Sequence, residues 1–91
     1  MGWAAARKLR LVVTNVTRLL AIELVAAARG VELRGSLMPA AGTGAAVRAL
    51  RAVVPGPGPD RWLTPELDAA VALVASGALV SAVEAVTGAL A

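Results

Sequence analysis

From Gly2 to about Arg29 the sequence runs without a proline or an interior glycine. Nothing there breaks a helix, and at about 1.5 Å per residue a helix of that length reaches about 42 Å, more than the width of a small domain. Gly30 is its expected C-terminal stop. Stepped at 100° per residue, Ala5, Leu9, Val12, Val13, Val16, Leu19, Leu20, Leu24 and Ala27 share one broad face, and Arg7, Arg10, Thr14, Thr17, Arg18 and Arg29 lie opposite. Leu11, Ile22 and Val25 fall among the polar residues, so the stretch from Leu19 to Ala28 is apolar almost all round. Such a segment belongs inside a helical bundle.

Glu23 falls near the middle of that apolar face, between Val16, Leu19, Leu20 and Ala27. A lone buried carboxylate costs several kcal/mol unless it is paired or protonated. The expectation is a structural ion pair with an arginine from another helix or another chain. A catalytic acid with a raised pKa is the sharper alternative, but it lacks a histidine, lysine or tyrosine at hand to complete a site. Partial exposure is the third possibility.

Val31 to Gly44 contains Gly35, Pro39, Gly42 and Gly44 and reads as a loop. Gly42-Thr43-Gly44 lacks the Gly-Lys-Ser/Thr ending and the preceding strand of a phosphate loop and reads better as a hinge. A helix is expected over 45–54, with Ala46, Val47, Leu50 and Val54 as its apolar stripe and Arg48 and Arg51 pointing outward. Residues 55–63 open with three prolines and two glycines in six positions and form a linker. Thr64-Pro65-Glu66 then starts a helix, with Thr64 as cap. Helices are expected over 65–76 and 78–87, with Gly88 as the final stop. The apolar runs carry a period of 3.6 and nowhere alternate as strands do, so the fold class is all-α: a long N-terminal helix followed by shorter ones. No internal repeat or heptad array survives counting.

Composition removes whole classes of chemistry. Without cysteine or histidine the chain offers no ordinary zinc, haem or iron–sulfur ligand set, no disulfide, no thiol nucleophile and no Ser-His-Asp triad. At 58% hydrophobic and 16% charged it is not a disordered tail. Trp3 and Trp62 are the only aromatics, so bulk for a self-standing core is scarce and the Ala-rich helices are expected to find their packing partners in another chain or in sequence not present here. Residues 1–51 hold eight bases against Glu23 and Glu32, whereas residues 52–91 hold Arg61 against four carboxylates. Eight of the nine bases are arginine in an Ala/Val/Leu/Gly-rich background, without the contact surfaces of nucleic-acid binders, so no nucleic-acid partner is expected. The longest uncharged run, Ala69–Val83, is 15 residues and short of a membrane span, and Thr14, Asn15, Thr17 and Arg18 interrupt the stretch where a signal core would lie. The expectation is a cytoplasmic chain with no membrane partner. A cationic membrane-surface helix built on Arg7, Lys8, Arg10 and Arg18 is a minor alternative.

The blocks Met1-Gly2-Trp3-Ala4-Ala5-Ala6-Arg7-Lys8-Leu9 and Asn15-Val16-Thr17-Arg18-Leu19-Leu20-Ala21-Ile22-Glu23-Leu24 closely resemble the C-terminal region of histidine ammonia-lyase and the wider aromatic amino-acid lyase family. Arg48-Ala49-Leu50-Arg51-Ala52-Val53-Val54-Pro55, Asp60-Arg61, Leu63-Thr64-Pro65-Glu66-Leu67 and Ser76-Gly77-Ala78-Leu79 match the family's ending in the same order. The resemblance departs in the Pro/Gly-rich loop and after Leu79. It implies a mostly helical homotetramer that eliminates ammonia from an amino acid, usually histidine to give urocanate, through a methylidene-imidazolone formed from an internal Ala-Ser-Gly. In this chain Ala75-Ser76-Gly77 spells that tripeptide, but its surroundings align with the family's terminal helices.

The resemblance sets Met1 against an internal methionine, just after a Gln-Glu-Asp-His-Val-Ser run whose Glu reaches the active site. It therefore places the electrophile and the catalytic groups upstream. No catalytic, cofactor-binding or metal residue carries over, and Glu23 stands as a structural buried acid only. The implied partners are the upstream portion of the lyase or copies of this chain, as a homo-oligomer. A stand-alone helical subunit derived from the family, or a lyase or aminomutase acting on phenylalanine or tyrosine, are the alternatives.

Overall fold

A computed structural model describes residues 2–90. Four helices follow one another: α1 (Gly2–Leu33), α2 (Ala41–Arg51), α3 (Thr64–Ala75) and α4 (Ala78–Thr87). The described residues contain no strand, and the expected all-α class with a long first helix holds. α3 packs along the second half of α1, α2 packs on α4, and the short α3–α4 corner ties the two pairs together.

α1 does not stop at Gly30. A glycine inside a helix costs only about 1 kcal/mol, and here one further turn carries Val31 and Glu32 against the rest of the chain, where both are half-buried. The stop comes at Gly35, whose φ of 67° is the left-handed conformation glycine adopts without strain and whose N–H donates to the Glu32 carbonyl at 3.1 Å.

α2 also departs from expectation. It starts at Ala41 and ends at Arg51, with Val53 and Val54 turning back onto the Leu50 carbonyl. The Gly42-Thr43-Gly44 segment is therefore helix, not loop or hinge. A Cβ on Gly42 would lie 3.0 Å from the Thr87 methyl of α4, so the absence of a side chain sets how closely α2 and α4 approach. Thr64 is the first residue of α3 and makes no capping hydrogen bond; Pro65 and Glu66 follow in the first turn, as expected. Gly77, at φ 80°, turns the chain from α3 into α4 with a bend of 60°.

The core is small and made mainly of small residues. Ala21 and Ala28 of α1, Leu50 of α2, Val54 just beyond it, and Ala70 of α3 form one buried cluster, with Leu24, Val25, Val47, Leu73 and Val74 packed against it. Alanine on both α1 and α3 lets the two backbones come close, which compensates for the missing aromatic bulk. The radius of gyration is 15.2 Å, against about 12 Å for a compact domain of this length. The extents of 54 × 36 × 18 Å describe a flat body with a projecting helix.

Candidate functional site

The residues of α1 that bury are Ala21 and Ala28, flanked by half-buried Thr17, Leu24 and Val25. They form a stripe about 115° around the helix from the centre of the broad apolar face, at 100° per residue. That face remains bare. Leu9 is 63% exposed, Val12 55%, Val16 45% and Leu19 60%, and all of residues 2–16 are exposed. Over α1 the positions Ala5, Leu9, Val12, Val16, Leu19, Glu23 and Ala26 alternate by fours and threes, so the expectation of no heptad array is corrected for this one helix, where Glu23 interrupts the apolar series.

Glu23 is exposed and has no ion pair among the described residues. The expectation that the fold buries it against an arginine is corrected: α3 packs on the small-residue stripe and leaves the face around Glu23 open. Its neighbours one turn away, Leu19, Leu20, Ala26 and Ala27, are apolar, so any cover over this face meets a carboxylate inside an apolar surround. By length and mean hydropathy (1.7 over 18 residues) α1 also meets the measure of a membrane span, which the sequence reading did not anticipate. Arg18 alone opposes insertion by about 2.5–3.5 kcal/mol at the centre of such a span.

The structure builds its ion pairs at the other end of α1. Arg51 donates from Nε to Glu32 Oε1 at 2.6 Å and from Nη2 to Oε2 at 2.8 Å, a two-pronged pair. Its Nη1 reaches the Pro55 carbonyl at 3.0 Å. The Arg51 hydrogen bonds hold the Glu32 carboxyl below its ordinary range, and the same pairing raises Arg51. Arg61 repeats the device, with Nε 2.6 Å from Glu66 Oε1 and Nη2 donating to the Gly56 carbonyl at 2.9 Å. Two arginines thus clasp the Pro/Gly linker from either side and tie it to α1 and α3. Arg51 is half-buried, not outward-pointing. Its partner lies 19 residues away, and no local spacing rule reveals such a pair.

The clefts are shallow. The most prominent, about 410 Å³, lies where α1 gives way to α2 and is lined by Val31, Arg34, Met38 and Thr43 among others. It holds a base but no carboxylate to act with it. No cluster of three metal-ligating side chains occurs among the described residues. Ala75-Ser76-Gly77 forms the α3–α4 corner: Ser76 Oγ donates to the Leu73 carbonyl at 3.2 Å and accepts from the Ala78 amide at 3.3 Å. A tripeptide engaged in joining two helices does not fit the role of an electrophile precursor.

Comparison with known proteins places this arrangement. Residues 1–52 match the model of the aromatic amino acid lyase family. The chain is 58% identical over 92 residues to a histidine ammonia-lyase of Streptomyces avermitilis, covering all of this chain and 18% of that protein. It is 56% identical over 91 residues to the histidine ammonia-lyase of Streptomyces coelicolor, covering 99% of this chain and 18% of the relative. The histidine ammonia-lyase of Sorangium cellulosum is 51% identical over 90 residues, again covering 99% and 18%. The chain thus spans about a fifth of the length of the curated relatives it matches. No solved structure matches it. The family blocks that fill α1 and the relatives that align along all four helices agree: this chain belongs to the aromatic amino acid lyase family.

Proposed function

We propose that the chain is the C-terminal scaffold and subunit-contact portion of a histidine ammonia-lyase-type enzyme, which eliminates ammonia from histidine to give urocanate. The observation that carries this reading is the 58% identity, sustained over the full chain, to a protein named histidine ammonia-lyase. In this reading the upstream portion supplies the methylidene-imidazolone and the acid/base groups. The four helices here supply packing surface, in a cytoplasmic homotetramer without nucleic-acid or membrane partners. The bare apolar face of α1 supports a contact role, since a surface of that kind is costly to leave in water.

A full-length chimera tests the proposal. The matching 92 residues of the Streptomyces avermitilis enzyme are replaced by this chain, and ammonia release from histidine is measured alongside assembly. The expected result is an assembled, active enzyme. An assembled chimera that releases ammonia from phenylalanine or tyrosine but not histidine would redirect the substrate assignment, and an unassembled one would contradict the scaffold role. The isolated chain should release no ammonia from any of the three, and turnover reproduced in two preparations would sink the reading.

A further inference from the structure

We propose that Arg51 is a latch with two ends, one on the last turn of α1 and one on the entrance of the Pro/Gly linker, so that the two segments hold or release together. The latch is built from contacts inside the chain and does not depend on the function proposed above.

Gly30 offers α1 an earlier stop, and the turn that continues past it carries a charge of the wrong sign. Glu32 sits at the negative end of the helix dipole, and that last turn holds no base to offset it. An unpaired carboxylate there works against the turn. Arg51 of α2 reverses the balance, because its Nε and Nη2 grip both Glu32 oxygens, at 2.6 and 2.8 Å. Arg48 shares a cleft with Glu32 but makes no ion pair among the described residues. Arg51 has no second acid to turn to, since Glu66, the other carboxylate lining its cleft, is held by Arg61 at 2.6 Å.

The linker depends on the other end of the same guanidinium. Prolines 55, 57 and 59 have no N–H to donate, and among the described residues no backbone–backbone hydrogen bond involves residues 55–62. The linker carbonyls that are held are held by arginine: Pro55 by Arg51 Nη1 at 3.0 Å and Gly56 by Arg61 Nη2 at 2.9 Å. Through Glu66 the second tie runs to α3, whereas through Glu32 the first runs to α1. Because a guanidinium is planar and rigid, the fork on Glu32 fixes where Nη1 points, and the Pro55 carbonyl in turn holds the fork against Glu32. Loss of either end therefore weakens the other, a reciprocity that coupled binding equilibria require.

Solution NMR of the full chain reads both ends. The Arg34 and Gly35 amides donate to the Val31 and Glu32 carbonyls, so their exchange protection reports the last turn. The Gly56 N–H lies in the peptide plane of the Pro55 carbonyl, so its order parameter reports the linker. In the parent Arg34 and Gly35 should be protected and Gly56 should lie near about 0.85, as in rigid backbone. Glu32→Gln should lower protection at Arg34 and Gly35 about fivefold and, although the change is made in α1, drop the Gly56 order parameter toward about 0.6. Arg51→Lys, which keeps the charge but not the fork, should do the same. Pro55→Gly gives the linker more freedom and touches neither charge, and it should lower protection at Arg34 and Gly35 about twofold. The amide of Ala70, buried in α3, should keep its protection throughout. Fraying at Arg34 and Gly35 with Gly56 unmoved, release of Gly56 with the helix end unmoved, or an Arg51→Lys variant that matches the parent would each overturn the inference. So would a parent without protection at Arg34 and Gly35, or an equal loss at Ala70, which would be global unfolding in place of a latch.

Discussion

From Ala21 onward α1 is held by its own chain, whereas residues 2–16 of the same helix are all exposed. The held half buries alanines: Ala21 is fully inaccessible and Ala28 is 3% exposed. The free half displays Trp3, Leu9, Leu11, Val12 and Val13, each more than half exposed. The contrast shows that in this chain bulk and burial are decoupled. Small side chains let α1 and α3 close on each other inside the chain, and the larger ones on α1 form a surface that asks for an outside partner.

The sharpest way to break that contrast is to truncate one large side chain in each region. Leu50 is fully buried beside Val54, so Leu50→Ala should cost about 2–5 kcal/mol in urea unfolding followed by circular dichroism. Leu9→Ala, measured at dilutions where the chain is monomeric, should cost less than about 0.5 kcal/mol. Comparable losses at the two positions would mean that the arm is packed after all.

Next in size is the close approach of α2 and α4. Gly42→Leu would drive a side chain into Thr87 and Val83 and should destabilise by about 1–3 kcal/mol, read from the same unfolding curves. The matched change Gly30→Leu, at a position with nothing within 4 Å, should not destabilise, since leucine favours a helix over glycine.

Smaller again is the clasp around the linker. Glu32→Gln should cost about 1 kcal/mol near neutral pH, the upper end for a partly exposed pair. The folded-state pKa of Glu32 lies below its ordinary value of 4.5. Its contribution is therefore fully present above that value and is lost as pH falls through the lowered one. The gap between parent and variant should close on acidification below about 4.5, and a gap that persists at acid pH would assign the stabilisation to packing. Smallest is Glu23→Gln in the dilute chain, expected within about 0.5 kcal/mol of the parent because the carboxylate is solvated there.

The elements were largely legible from their punctuation. The Pro55–Pro59 run and Pro65 with Glu66 marked the start of α3 because proline imposes a local backbone constraint that packing does not override, and Gly77 and Gly88 marked the ends of α3 and α4 because the chain there uses the positive φ that glycine allows. Gly30, Gly42 and Gly44 misled for the complementary reason. A glycine permits a break without requiring one, and here the Glu32–Arg51 pair and the α2–α4 contact reward continuing the helix. The buried side of α1 was misplaced because the helical projection ranks faces by hydrophobicity, while α3 selects the face with the smallest residues. Glu23 was legible as an anomaly, a carboxylate in an apolar surround, but whether anything covers it depends on surfaces beyond its own helix.

Amide hydrogen exchange resolved along α1, at sub-micromolar and at tens-of-micromolar concentration, tests most directly the claim that the chain holds one half of this helix and a partner holds the other. The predicted result is that amides of residues 21–33 stay protected at both concentrations, while those of residues 5–16 exchange rapidly in dilute solution and gain protection at the higher concentration. Protection that is uniform along α1 and independent of concentration would contradict it.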